Sequence, residues 1–182
     1  MTTPTPDPDA SLRSARGSSL RHRAVRAARW AGFVGAYAAA QGVSMALSGD
    51  VRREYRRVEQ PPFAPPAPVI PAVWTVLNVT TATSAWRMWE APASPARTQA
   101  LGLWGVALGL RTAYTPLAFG QRWRWLATAD AAALALVMAA YTQRAARVDR
   151  AAAALAAPEV AWTTFATALS TDLARRNPES RR

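Results

Sequence analysis

The chain has 182 residues, enough for one domain of ordinary size. Apolar residues make up 51% of it, yet 22 basic against 11 acidic residues leave a net charge of +11. There is no cysteine, and His22 is the single histidine. Those counts exclude disulfides, thiolate metal sites, a haem ligated by a buried histidine, and Ser–His or Cys–His nucleophilic machinery.

The mean hydropathy of −0.06 is low for a membrane protein. The placement of the charges explains it. Every basic residue is an arginine, and all but Arg111 fall in the N-terminal tail, in short connections or at segment ends. A soluble helical protein carries charge along one face of each helix. Here the charges separate blocks that hold almost none. Arginines so placed contact lipid phosphates and set orientation, so a lipid bilayer, and not nucleic acid, is the expected partner.

Residues 1–27 are rich in Pro, Ser, Thr and Arg, and read as a disordered basic tail that touches lipid. Residues 28–178 read as an all-α integral membrane domain, a bundle of five transmembrane helices, and 179–182 as a short C-terminal tail. The first span runs from about Trp30 to Ser48 without a charge, close to the roughly 20 residues a bilayer core needs. Its basic flank and the Ala46-Leu47-Ser48 end also mimic a signal peptide. The length of the run and the four spans that follow favour a retained helix.

Residues 49–68 form a connection that ends in Pro61-Pro62-Phe63-Ala64-Pro65-Pro66-Ala67-Pro68. Proline fixes φ and removes a donor, so this piece reads as a semi-rigid loop over the helix ends. The second span covers about 69–86, the third 99–121, the fourth 125–143 and the fifth 151–171. Backbone groups in lipid must bond internally, so each span is expected to be helical. Five spans put the termini on opposite faces. Side A, with the N-terminus, carries eleven arginines and side B ten, so the positive-inside rule leaves the orientation open.

Among the eight tryptophans, Trp30, Trp86, Trp89, Trp123 and Trp125 lie at span ends, where the interface belt explains them. Trp162 does not fit a belt, lying about ten residues from either end of its span, or roughly 15 Å deep. Trp74 lies about five residues from side B, and Tyr114 and Ala166 about six. These residues share the side-B half, beneath the loop that bears Phe63. Aromatic groups on three helices under a semi-rigid lid suit a flat apolar ligand; ordinary aromatic packing is the alternative. Arg111 and Asp130 flank the third connection at similar depth, and charges within a membrane are usually paired. An Arg111–Asp130 ion pair is therefore expected, with Glu159 as the other possible partner and a ligand carboxylate as a further one. Gly102, Gly105 and Gly109 give the third span a small-residue face suited to close helix contact, within the chain or between copies. Val137 to Arg144, centred on Tyr141, fits the loose cholesterol-contact pattern.

From Pro61 onward the residues resemble the TspO/MBR family of tryptophan-rich sensory and translocator proteins. The family has Pro-Pro-Trp-x-Pro-Pro in the first loop, and Pro61-Pro62-Phe63-Ala64-Pro65-Pro66 stands here. Its Val-Trp-Thr-x-Leu-Tyr appears as Val73-Trp74-Thr75-Val76-Leu77-Asn78, and its Trp-x-Pro-Leu-Phe-Phe-Gly as Tyr114-Thr115-Pro116-Leu117-Ala118-Phe119-Gly120. The fifth span carries Pro158-Glu159-Val160-Ala161-Trp162-Thr163-Thr164-Phe165-Ala166, where the family has Pro-Tyr-x-Ala-Trp-x-x-Phe-Ala. Phe63 replaces the loop Trp, Asn78 a Tyr, Arg111 an Asn, Glu159 a Tyr and Ser170 an Asn.

The resemblance implies a membrane receptor or carrier for a tetrapyrrole (porphyrin or haem) or a sterol-like ligand. Phe63, Trp74, Asn78, Arg111, Tyr114, Trp162 and Ala166 would line the site. No cofactor is required, and a bound haem would lack a histidine ligand. The resemblance also implies a homodimer through the glycine face of the third span. The alternative it implies is Trp-dependent, light-linked porphyrin breakdown, for which the corresponding residues are Trp74 and Trp162. A structural membrane protein with a decayed pocket is the remaining reading.

Overall fold

The computed structural model describes residues 8–121 and 123–178. Among them are six α-helices: α1 Pro8–Ser48, α2 Val51–Arg57, α3 Val69–Glu90, α4 Pro95–Thr115, α5 Arg124–Ala146 and α6 Arg150–Arg176. A π-helical turn, Pro116–Gly120, extends α4. Five of them have more than twenty residues, and α2 is an additional seven-residue helix within the first connection, where no helix was expected. Asp50 caps it by accepting from the Arg53 N–H. Gly49, at φ 64°, supplies the left-handed residue that turns the chain from α1 into α2.

Residues 8–27 are helical, which corrects the expectation of a disordered tail over that part; residues 1–7 and 179–182 lie outside the described residues. Alanine and arginine are strong helix formers. The extension is also fastened, because Arg26 and Arg29 both reach Glu90 at the end of α3, at 3.3 and 3.0 Å. With 41 residues, α1 is about 60 Å long, twice the hydrocarbon thickness of a bilayer.

Polar caps set the remaining helix starts. Ser94 accepts from the Arg97 N–H ahead of Pro95, and Asp149 accepts from the N–H groups of Ala151 and Ala152. The long helices form a ring in the order α1, α3, α6, α5, α4, with α4 returning to α1. The closest pairing is α5 on α6. Small side chains permit it: Ala127, Ala131, Ala145, Ala152, Ala153 and Ala156 are all buried. A buried polar link ties the pair to α3. The Ser84 hydroxyl donates to the Ala152 carbonyl at 2.7 Å and takes up the Tyr141 hydroxyl at 2.7 Å. Since the Ser84 proton is committed to the carbonyl, Tyr141 is the donor of the second bond.

The helix α1 buries only a thin stripe, Tyr37, Ser44 and Ser48, against α3, α4 and the π turn. Gly120 permits that approach. A Cβ there would stand 3.1 Å from the Leu47 carbonyl oxygen and 3.4 Å from the Ser48 Cα. At the same end the first connection is clasped to α6. The Glu59 N–H donates to Asn177 Oδ1 at 2.8 Å, and Asn177 Nδ2 returns a bond to the Glu59 carbonyl at 2.9 Å. Arg176 adds an ion pair to the Glu59 carboxylate at 3.0 Å, and Arg124 one to Glu54 at 3.4 Å.

Among the described residues one helix, Arg124–Ala146, is long and apolar enough to cross a membrane by length and composition. Trp89, Trp123 and Trp125 are exposed near helix ends, and Trp30 is exposed midway along α1, beside Thr83 of α3.

Candidate ligand-binding site

The site is built around Arg111, the one arginine within a span. Its side chain is only 10% exposed. One terminal nitrogen donates to Asn78 Oδ1 on α3 at 2.7 Å. The other pairs with the Glu159 carboxylate on α6. Glu159 is fully buried, and its second oxygen accepts from the Thr81 hydroxyl. The guanidinium also lies over the Trp74 ring at 4.6 Å and the Tyr37 ring at 4.9 Å. A cation so placed gains from both ring faces as well as from its counterion.

The expected Arg111–Asp130 pair is therefore corrected to Arg111–Glu159. The reason is depth and direction. Tyr114, one turn nearer side B than Arg111, is the α4 residue that lies within electrostatic reach of Asp130 and beside the Ser170 hydroxyl. Arg111 instead points to the far side of α4, towards α1, α3 and α6. Asp130 is buried on α5, and its Oδ2 has no hydrogen-bond partner among the described residues. Sequence reasoning weighed Glu159 only as a substitute partner, and it missed Thr81 and Tyr37. An isolated acid at mid-depth was the signal for Glu159; a threonine and a tyrosine in apolar spans gave none.

The aromatic wall continues from Trp74. The Trp74 and Trp162 rings meet edge to face, with centroids 6.3 Å apart. Trp162 touches Phe165 at 5.4 Å, and Phe165 meets the lid residue Phe63 at 6.3 Å. Of the residues expected at the site, Trp74, Asn78, Arg111 and Trp162 come together, and Phe63 joins them through Phe165. Ala166 sits one turn along α6 from Trp162 and is half-buried. Tyr114 stands apart, towards Ser170. Two buried donors at this place lack an acceptor among the described residues: Arg111 Nε and Trp162 Nε1. Buried N–H groups are rarely left so, because each one costs about 1–3 kcal/mol.

Three other expectations can be placed. Gly102, Gly105 and Gly109 are exposed, and a Cβ at each would meet nothing within 4 Å, so that face of α4 is open. Tyr141 is fully buried on Ser84 and therefore unavailable to a sterol at the surface. His22 lies on the exposed stretch of α1, bonded to the Ser18 carbonyl, and no group of acidic or histidine residues among those described could hold a metal.

The class is an all-α helical bundle, with one described helix, α5, long and apolar enough to cross a membrane and a buried ion pair walled by aromatic rings. More particularly, the chain belongs to the TspO/MBR family, whose model matches residues 30–176. No curated relative matches it. Membership carries a membrane setting and a sensory or binding role.

Proposed function

We propose that the chain crosses the bilayer five times and binds one planar apolar ligand beneath the first connection, as a receptor or carrier. The observation that carries this reading is the pair of orphaned donors, Arg111 Nε and Trp162 Nε1, set against the Trp74 and Trp162 rings. Rings favour a flat apolar body, and donors without acceptors favour a ligand edge bearing oxygen. A tetrapyrrole with carboxylate side arms has both features; a sterol has the body and a single oxygen. Arg111 would exchange part of its contact with Glu159 for the ligand carboxylate, while Phe63 and the proline-rich segment shield the site from water. The open glycine face of α4 suits a second copy of the chain, so the proposed unit is a homodimer.

Titration of the detergent-solubilised protein with protoporphyrin, followed by quenching of tryptophan emission, tests the site. Trp162→Ala should weaken binding by about 1–3 kcal/mol, and Trp125→Ala, at the belt, should leave it unchanged. Equal affinities in both variants and the parent would overturn the reading. Illumination of the bound complex separates a carrier from an enzyme. A carrier returns the porphyrin intact. Conversion that is lost in Trp74→Phe would favour the light-linked degradative reading, for which the edge contact of Trp74 with Trp162 is the supporting feature.

A further inference from the structure

A second candidate site lies at the opposite end of the bundle, where the N-terminal extension of α1 leaves the ring beside the end of α3. Arg23, Arg26, Ala27, Trp30 and Trp86 line an open groove of about 330 Å³ there. Its floor is apolar and its rim cationic. The Arg26 guanidinium lies over the Trp86 ring at 5.2 Å. Beneath it the Trp86 indole N–H is buried without an acceptor. Trp30 is already committed, through its own N–H, to the Thr83 hydroxyl at 3.0 Å. Among the described residues the charge on the rim is not balanced. Glu90 is shared between Arg26 and Arg29, and no ion pair engages Arg23 among the described residues.

The level of the groove identifies its occupant. Trp30 and Trp89 mark the membrane interface on side A, where headgroup phosphates meet the first acyl carbons. An apolar floor, two guanidinium groups and an orphaned N–H then match the three layers of a glycerophospholipid: chains, phosphate and ester carbonyl. We propose that this groove seats one anionic phospholipid, with its phosphate on Arg23 and Arg26 and its chains against Trp30 and Trp86. A zwitterionic lipid brings its own cation to the rim and would be disfavoured beside Arg23, Arg26 and Arg29. The proposal rests on the bundle spanning a bilayer and is independent of what binds at the aromatic cluster under the first connection.

Native mass spectrometry of the full chain in neutral detergent provides the test. The protein would be titrated with phosphatidylglycerol, with phosphatidylcholine of the same chains, and with inorganic phosphate. One tightly retained phosphatidylglycerol is expected, with phosphatidylcholine weaker and inorganic phosphate unable to displace the lipid. Each arginine near an anionic lipid is worth roughly fivefold in affinity, so R23Q should lose about fivefold and R23Q/R26Q about 25-fold. R147Q/R150Q, on the same face but away from the groove, should lose little. R23Q removes no ion pair, so its fold is not at risk, and protoporphyrin binding should persist in it. Retention of phosphatidylglycerol by R23Q/R26Q at parental affinity would overturn the proposal. So would equal losses in the two double variants, or phosphatidylcholine bound as tightly as phosphatidylglycerol.

Discussion

Arg111 is stable within the bundle because four neighbours share its charge: the Glu159 carboxylate, the Asn78 carbonyl oxygen and the Tyr37 and Trp74 ring faces. Removing one charge of a buried pair strands the other in a low-dielectric site, at a cost of about 3–5 kcal/mol. Glu159→Gln should therefore lower the thermal midpoint of the solubilised protein sharply. Adding Arg111→Gln to it should recover much of the loss, because no unpaired charge remains. Asp130→Asn removes no ion pair among the described residues and should change the midpoint little. Thermal unfolding of the three variants against the parent distinguishes Glu159 from Asp130 as the partner. Arg111 itself was legible in the sequence as an isolated charge in an apolar span. Its partner was not. Depth counted along two antiparallel helices fits Asp130 and Glu159 alike, and only the direction of the side chain separates them.

At the scale of the helices, α6 shows how one connection does two tasks. Asp149 caps its first turn and also accepts a hydrogen bond from Arg87 Nε at 2.8 Å, which ties α3 to the start of α6. The Arg87 hydrogen bond, with the two backbone N–H bonds, holds the Asp149 carboxyl below its ordinary value of 3.8. A carboxyl depressed on folding stabilises the fold above its unfolded pKa, and the contribution disappears as pH falls through the folded value. The thermal midpoint of the parent should thus decline below about pH 4, and Asp149→Asn should flatten that limb of the profile. Asp149→Ala should cost about 1 kcal/mol at neutral pH through the lost cap. The long helices themselves were legible because charge clusters bound the apolar blocks that form them. The helix α2 was not: with seven residues, four of them arginine, it presents neither an apolar stripe nor a length that marks a helix. The helicity of residues 8–27 escaped for a related reason. Their composition is that of a solvated tail, and what fastens them, Glu90, lies far along the chain.

For the molecule as a whole, the proposed five crossings would place the N-terminus and the C-terminus on opposite faces of the membrane. Reporter fusions at the two ends should therefore give opposite responses; matching responses would remove one crossing. The Arg tally, nearly even between the faces, gave the sequence no means to say which face is inside. The bundle is not evenly bound together. The pair α5–α6 and its link to α3 hold the buried core, while α1 is attached by Tyr37, Ser44, Ser48, the contact at Gly120 and the bonds of Arg26, Arg29 and Trp30 to α3.

The clasp between Glu59 and Asn177 makes the two ends of the chain mechanically unequal. Tension applied at the N-terminus runs down α1, meets the exposed ion pairs of Arg26 and Arg29 with Glu90, and is then borne by the thin stripe of buried contacts. Tension applied at the C-terminus meets the clasp first, because 118 positions of chain are short-circuited by its paired hydrogen bonds. Pulled from that end in a single-molecule experiment, the protein should show an early rupture that frees the proline-rich segment while α6 is still seated. In Asn177→Ala that first event should vanish and the later ones remain. A load on the last helix is thus delivered directly to the segment that carries Phe63 onto the aromatic cluster, more than a hundred residues upstream.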